Sequence, residues 1–240
     1  MRITFLVLLV ATLAFGQTPI DPQAVEQIVK QYILQHPEVL LESVRNYQDR
    51  QQAAERQKSS QAVAAHRDEL YGDPGTPASA NEATVTIVEF FDYRCGYCKR
   101  VQNTVETIAA APDVRIIYKE LPILGPESIL AAKAALAAEK QGAYRKFHDA
   151  LMASAGSITV ESIEKLANSL GMDFERLKRD MQSPQINSKL TRNNELATAL
   201  GVQSTPTFII GGELVSGALG PDAFRSLIDK ARQQLNTPTD

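Results

Sequence analysis

The sequence predicts an α/β domain with an inserted helical subdomain, preceded by an α-helical N-terminal extension. A β-branched and aromatic run at residues 84–91 predicts a buried strand. Apolar residues spaced three and four apart from about residue 126 to 200 are typical of consecutive helices. Residues 206–210 and 213–216, separated by Gly211-Gly212, predict a β-hairpin.

The first 16 residues have the pattern of a cleaved signal peptide. Arg2 supplies a positive start, residues 3–15 are almost wholly apolar, and the small residues Ala14 and Gly16 stand where a signal peptidase cuts. An apolar run of about 13 residues is shorter than the roughly 20 that a membrane-spanning helix needs. We therefore expect a periplasmic or otherwise exported protein that is not an integral membrane protein.

Composition and charge narrow the function classes. Of the 240 residues, 44% are hydrophobic and 22% are charged, which is typical of a globular protein. The formal net charge is −3 and no basic stripe is present, which argues against a nucleic-acid partner. The chain has two cysteines, so an exported form can build at most one internal disulfide.

Residues 17–71 are predicted to form a helical N-terminal region. Asp21-Pro22 is a good helix start, because aspartate caps a helix and proline is tolerated at its first position. His36-Pro37 interrupts the pattern, since the residue before proline is pushed out of the α conformation. The apolar residues of the two helices form one stripe: Val25, Ile28, Val29, Tyr32, Ile33, Leu40, Leu41, Val44 and Tyr47.

The second of these helices is predicted to run from Pro37 to about Leu70. Beyond Tyr47 it is polar on all sides, which favours a solvated arm or part of a helical assembly. Residues 72–83, GDPGTPASANEA, have the composition of a linker. Residues 84–240 then form the α/β domain.

Both cysteines lie in the segment FFDYRCGYCKR, where the predicted strand gives way to a helix. Cys95 would lie at the helix N-terminus, where unpaired backbone N–H groups and the helix dipole favour an anion. The thiolate is the reactive form of cysteine, so this position predicts a lowered pKa at Cys95. Cys98, one turn later, faces inward and would act as the resolving thiol. Gly96 and Tyr97 set the turn geometry and the relative stability of the two redox states.

Two other interpretations of the cysteine pair are weaker. A zinc site needs two further ligands, and the candidates His36, His66 and His148 are scattered over three segments, so no metal site is expected. A structural disulfide would close a loop of two intervening residues and gain little unfolded-state entropy. A redox pair is therefore favoured, and we expect no cofactor.

Two further features fit the same site. Glu89 lies six residues before Cys95, and a buried carboxylate beneath a dithiol can accept or relay the proton of Cys98. A strand-end glutamate that points to solvent is the open alternative. Pro206 begins the first hairpin strand, where its missing N–H costs least. Sequence context alone leaves the isomer of the Thr205–Pro206 bond open.

These motifs resemble the DsbA-like branch of the thioredoxin superfamily. The resemblance depends on FFDYRCGYCKR after a hydrophobic strand, a helical insertion, and GVQSTPTFIIGG about a hundred residues later, and it covers roughly residues 83–235. The segment DPQAVEQIVKQYILQHPEVLLESV is similar to the N-terminal helices of ScsC-type proteins, a periplasmic subgroup named for suppression of copper sensitivity.

The resemblance implies a thioredoxin-like fold and a role for each site residue. Cys95 matches the nucleophile, Cys98 its buried partner and Glu89 the buried acid. Pro206 matches a cis-proline that faces the active site. Thr205 matches the residue before it, whose backbone could pair with a bound client strand.

The implied function is an exported thiol–disulfide oxidoreductase that acts on client proteins and is reset by a redox partner protein. The Gly96-Tyr97 dipeptide and the threonine before the proline favour isomerase or reductase work over oxidation. The N-terminal helices imply a homo-oligomer, with packing on the protein's own catalytic domain as the alternative. Linked catalytic domains around one client would favour isomerisation through effective concentration. Copper(I) binding by the two thiolates and a holdase-type chaperone stay open as other functions.

Overall fold

The computed structural model describes residues 21–73, 75–80 and 83–236, so the predicted signal peptide at residues 1–16 lies outside the described residues. The chain divides into two compact units at Gln52 and Ala53. No helix among the described residues is both long and apolar enough to cross a membrane.

The first unit holds helix α1 and the beginning of α2. Helix α1 spans Pro22–Gln35, and the Asp21 carboxylate accepts a hydrogen bond of 3.0 Å from the Gln23 N–H, as the capping prediction requires. Helix α2 spans Pro37–Ala65. The apolar side chains of this unit are solvent-exposed in the single chain: Val25, Ile28, Val29, Tyr32, Leu34, Val39, Leu40, Leu41, Val44 and Tyr47.

The second unit begins inside α2, earlier than the sequence-based boundary at residue 84. Helix α2 ends at Ala65, and the short helix α3 spans Arg67–Tyr71. Val63 and Leu70 are buried in a core cluster of the α/β domain, beside Val88. The end of α2 and the short helix α3 thus each place one apolar side chain in the core of the domain.

The predicted linker at residues 72–83 is partly docked on the domain. The Tyr118 N–H donates to the Pro77 carbonyl and the Ser79 N–H donates to the Ile116 carbonyl, both at 2.9 Å. Ala78 forms an antiparallel bridge with Ile117. Residues 77–79 of the predicted linker are therefore held at a sheet edge.

Four strands form one mixed sheet in the order β2-β1-β3-β4. Strands β1, Val85–Phe91, and β2, Val114–Glu120, are parallel. Strand β3, Thr207–Ile210, runs antiparallel to β1, and β4, Glu213–Ser216, completes the predicted hairpin. The α/β prediction is confirmed, with the bounds of β1, β3 and β4 within one residue of those expected.

The helices of the domain surround this sheet. Helix α4 spans Gly96–Ala109 and α10 spans Pro221–Asn236. The predicted helical insertion is confirmed as five helices between β2 and β3: α5 Pro126–Glu139, α6 Tyr144–Ala153, α7 Val160–Ser169, α8 Phe174–Met181 and α9 Pro184–Leu200. The main core lies between this insertion, helix α4 and the sheet.

Candidate active site

Strand β1 ends at Phe91, and a three-residue turn leads from it to Cys95 at the N-cap of α4. The Cys95 N–H donates to the Asp92 carbonyl at 3.0 Å, which fixes the turn. The Cys95 sulfur in turn accepts a hydrogen bond of 3.4 Å from the Cys98 N–H. The structure places Cys95 at the junction of strand and helix, as the sequence predicts. Both cysteines are free thiols.

The two thiols differ sharply in their surroundings. Hydrogen bonding from the Cys98 thiol is the largest cause that lowers the pKa of Cys95, to about 5. Burial opposes this, while contact with Thr205 and the backbone N–H groups of Cys98 and Tyr97 add to it. Burial is the main cause that raises the pKa of Cys98 far above its ordinary value, and the hydrogen bond to Cys95 adds to it. Near neutral pH the pair is therefore a thiolate at Cys95 and a thiol at Cys98.

The loop before β3 faces this pair. The Thr205–Pro206 peptide bond is cis, as the resemblance implied. The Cys95 Sγ lies 3.1 Å from the Thr205 carbonyl oxygen, to which a protonated thiol can donate. Residues 110 positions apart in the chain thus meet at the sulfur.

Glu89 is fully buried on β1. Neither of its carboxylate oxygens has a hydrogen-bond partner among the described residues. Burial raises the pKa of Glu89 to about 8, partly offset by the positive charge of Arg145. Its charge acts on Cys98, whose pKa it helps to raise. The solvent-facing alternative for Glu89 is therefore wrong.

Access to the site differs along the CGYC segment. Gly96 is exposed, and a Cβ built on it would meet no atom within 4 Å. Tyr97 is 60% exposed, with the Arg100 guanidinium 4.4 Å from its ring centroid. Cys95 itself is only 6% exposed and Cys98 is fully buried, so the exposed part of the segment is Gly96-Tyr97.

Comparison with known proteins agrees with this geometry. Residues 86–229 match the family described as the DSBA-like thioredoxin domain, which is more than half of the chain. The chain belongs to this family of DsbA-like proteins. Residues 21–54 match the N-terminal domain of the copper resistance protein ScsC.

Solved structures with the same architecture include a thioredoxin-like oxidoreductase and an ScsC protein. A thioredoxin-like oxidoreductase from Silicibacter pomeroyi is 41% identical, covers 70% of this chain and 98% of its own, and superimposes with a TM-score of 0.67. Proteus mirabilis ScsC in a compact conformation is 30% identical, covers 90% of this chain and 100% of its own, and has a TM-score of 0.67.

Among curated proteins, the Na(+)/H(+) antiporter NhaA 3 of Salinispora tropica is 29% identical over 153 residues, which are 62% of this chain. The match is 24% of the antiporter, so the chain spans about a quarter of that relative's length. Most of the antiporter therefore lies outside the matched region.

In this DsbA-like protein the Asp92 carboxylate does more than shape a turn. It accepts hydrogen bonds from the backbone N–H groups of Arg94 at 2.7 Å, Ile123 at 2.9 Å and Leu124 at 3.0 Å, and from the Ser128 hydroxyl at 2.7 Å. The loop between β2 and α5 is thereby tied to the turn that carries Cys95. An aspartate three residues before a helix cap is a weak sequence signal, because the loop it binds is about 30 residues away.

His148 is a buried neighbour that the sequence did not reveal. Its Nδ1 lies 3.1 Å from the Tyr93 hydroxyl, and its Nε2 lies 3.4 Å from the Gln102 side-chain nitrogen. Burial lowers the pKa of His148 to about 3, and the nearby Arg145 adds to this, so the ring is neutral at pH 7. It thus joins the Cys95 turn to α4 and α6. Among the residues that the structure describes, no three His, Cys, Asp or Glu side chains are grouped to hold a metal ion.

Proposed function

We propose that this protein is an exported thiol–disulfide oxidoreductase that acts on disulfides of client proteins through Cys95 and Cys98. The observation that carries the proposal is the asymmetry of the pair, with a pKa of about 5 at Cys95 and a raised pKa at buried Cys98. A thiolate next to a protonated resolving thiol is the arrangement that disulfide exchange needs.

The reaction follows from the positions of the two sulfurs. The Cys95 thiolate attacks a client disulfide, one client sulfur leaves as a thiolate, and a mixed disulfide forms between Cys95 and the other. Cys98 then loses its proton and attacks the Cys95 sulfur, which releases the second client thiolate. The client gains two electrons, and the pair becomes a disulfide that a redox partner protein must reduce. When another client thiol attacks the mixed disulfide first, the client is isomerised and the pair stays reduced.

Glu89 is the proposed proton acceptor for Cys98. It is the carboxylate that acts on this thiol from within the sheet, and it has no competing hydrogen-bond partner among the described residues. With a pKa of about 8, it is mostly protonated at pH 7 and exchanges a proton within the neutral range. Thr205, half-buried beside the Cys95 sulfur, is the proposed backbone edge for a bound client strand.

Within this chemistry we favour isomerase or reductase work over oxidation. The nucleophile has a pKa of about 7 in thioredoxin, a reductant, and about 3.5 in DsbA, a strong oxidant. A Cys95 pKa of about 5 lies between these two values and so does not match that of the strong oxidant. The Gly96-Tyr97 dipeptide and Thr205 agree with this interpretation.

The N-terminal unit supports a homo-oligomer. Ten large apolar side chains of residues 21–52 are exposed in the single chain, an unfavourable arrangement in water unless another surface covers them. A second copy of the same helices supplies a matching apolar stripe. The resemblance to ScsC-type proteins and the signal-peptide pattern support a periplasmic location.

Trapping of client intermediates tests the proposal. Reduced protein is mixed with a scrambled-disulfide substrate, and the recovery of native substrate is followed over time. We expect Cys95→Ser to abolish turnover and Cys98→Ser to accumulate mixed disulfides that run as a higher band without reductant. Full activity of the Cys95→Ser variant would contradict the proposal.

Copper(I) binding is the second candidate, because residues 21–54 match a domain described by copper resistance and two thiolates suit this ion. Titration of the reduced protein with copper(I) against a competing chelator tests copper binding.

A holdase-type chaperone is the third candidate function. It predicts that suppression of client aggregation survives replacement of both cysteines by serine.

A further inference from the structure

Three basic residues surround the nucleophile. Arg94 directly precedes Cys95, and Lys99 and Arg100 directly follow Cys98. This cluster is positively charged, although the chain as a whole has a formal net charge of −3. These three residues are called the cationic rim below.

Arg100 is positioned to act at the mouth of the site. Its guanidinium lies 4.4 Å from the ring centroid of Tyr97, the exposed residue between the two cysteines. Arg100 lies five positions after Cys95, a rise of about 7.5 Å along the helix axis. This rise is comparable with the screening length of about 8 Å at physiological ionic strength.

Lys99 has no carboxylate within ion-pair distance among the described residues. Its Nζ donates to the carbonyl oxygens of Leu151 and Ser154 and to the Ser154 hydroxyl, at the C-terminus of α6. Arg94 has one acidic partner, Glu127, at 3.1 Å, and both side chains remain more than a third exposed. One carboxylate thus faces three cations.

The cationic rim is not the leading cause of the low pKa of Cys95. Hydrogen bonding from Cys98 is the largest cause, and contact with Thr205 and backbone N–H groups follows. The rim charges are therefore available to whatever binds across Cys95. A second side of the mouth is apolar, since the Asp92-bound loop exposes Ile123 by 45% and Leu124 by 53%.

We infer that the cationic rim selects clients in which aspartate or glutamate flanks the reacting cysteine. The inference rests on the proposed function, because it assumes that a client disulfide reaches Cys95. An extended acidic segment fits the site best, since its carboxylates meet Arg100 and Lys99 while its apolar side chains meet Ile123 and Leu124.

Peptide substrates of different charge test the inference. Three peptides carry one cysteine in a mixed disulfide with the same neutral reporter thiol, flanked by two glutamates, two glutamines or two lysines. The kcat/KM for reporter release by the protein, with a dithiol as electron donor, is divided by the rate at which that small dithiol alone reduces each peptide. This removes the effect of the flanking charges on the peptide's own reactivity.

At low ionic strength we expect the normalised kcat/KM to favour the glutamate peptide over the lysine peptide by about tenfold. The glutamate-to-lysine ratio of normalised kcat/KM should fall toward one in 1 M salt, where the screening length is about 3 Å. Arg100→Gln should reduce the preference by about two- to fivefold, which is the size of one exposed charge pair. The control Arg225→Gln removes an exposed arginine on α10 and should leave the preference unchanged.

Two results overturn the inference. The first is a glutamate-to-lysine ratio of normalised kcat/KM that is at or below about one at low salt. The second is a ratio that Arg100→Gln does not reduce. The Cys95 pKa of the Arg100→Gln variant separates selection from activation, and a rise of more than about one would overturn the claim that the rim acts on the client. A lack of turnover with all three peptides would instead contradict the proposed function itself.

Discussion

Replacing Cys98 with alanine should raise the pKa of Cys95 substantially. The Cys98 thiol is the largest cause of the pKa of about 5, because it donates a hydrogen bond to the Cys95 thiolate. A hydrogen bond to a charged group is worth about 1.5–3 kcal/mol, and each 1.36 kcal/mol changes a pKa by about one. The expected pKa in Cys98→Ala is therefore about 6 to 7.

Cys98→Ser is the matched control, because its hydroxyl keeps a donor at nearly the same place. The thiolate absorbs near 240 nm, so a pH titration of each single-cysteine variant gives the Cys95 pKa directly. We expect the serine variant to stay near 5 and the alanine variant to move. The reasoning is refuted if alanine leaves the pKa near 5, since the helix terminus and backbone N–H groups alone would then hold the thiolate.

Three further predictions concern the surroundings of the pair. Because burial raises the pKa of Glu89 from its ordinary 4.5 to about 8, the stability it contributes below pH 4.5 is lost as the pH rises to about 8. Glu89→Gln should remove up to about 1.4 kcal/mol per pH unit from this slope in urea unfolding, and an unchanged slope would refute the buried-acid assignment. Each Asp92 oxygen accepts two hydrogen bonds, so Asp92→Asn, which replaces one oxygen by an amide nitrogen, removes the acceptor of two of the four and should cost about 2–4 kcal/mol of unfolding free energy, against about 1 kcal/mol for Ser128→Ala. Equal losses in the two variants would show that the Asp92 cluster is not what holds the loop. Ile28→Glu with Leu41→Glu should convert the proposed homo-oligomer to a monomer by sedimentation, whereas an unchanged mass would assign the exposed stripe another role.

The strands and the helical insertion could be predicted because their signals are local. The β-branched run of β1 and the three-and-four spacing between residues 126 and 200 each report burial of one face within a single segment. Cys95 at the helix cap follows from the same kind of signal, since a strand, a short turn and a helix are adjacent in the chain.

The features that the sequence did not reveal all depend on contacts between distant segments. Val63 and Leu70 look like part of a solvated arm until β1 and β2 give them a surface to cover. Residues 77–79 have a linker composition, yet the open edge of β2 pairs with them. Edge pairing is decided by backbone groups, so composition carries little information about it.

The site shows the same division. The N-cap position of Cys95 and the burial of Cys98 follow from their spacing, whereas the burial of Glu89 required the sheet that covers it. His148 was considered from the sequence as a metal ligand, and it is instead a neutral ring bonded to Tyr93 and Gln102. No local pattern distinguishes a metal ligand from a buried hydrogen-bonding ring, because a histidine on an amphipathic helix can have either role.

Site-resolved alkylation of the reduced protein tests the central claim most directly. The rate of modification by a small alkylating agent is measured at each cysteine by peptide mass spectrometry between pH 3 and 9. We expect Cys95 to react with a midpoint near pH 5 and Cys98 to stay unmodified over the whole range. A Cys95 midpoint near 8.5, the value of free cysteine, or faster modification of Cys98, would contradict the assignment of Cys95 as the attacking thiolate.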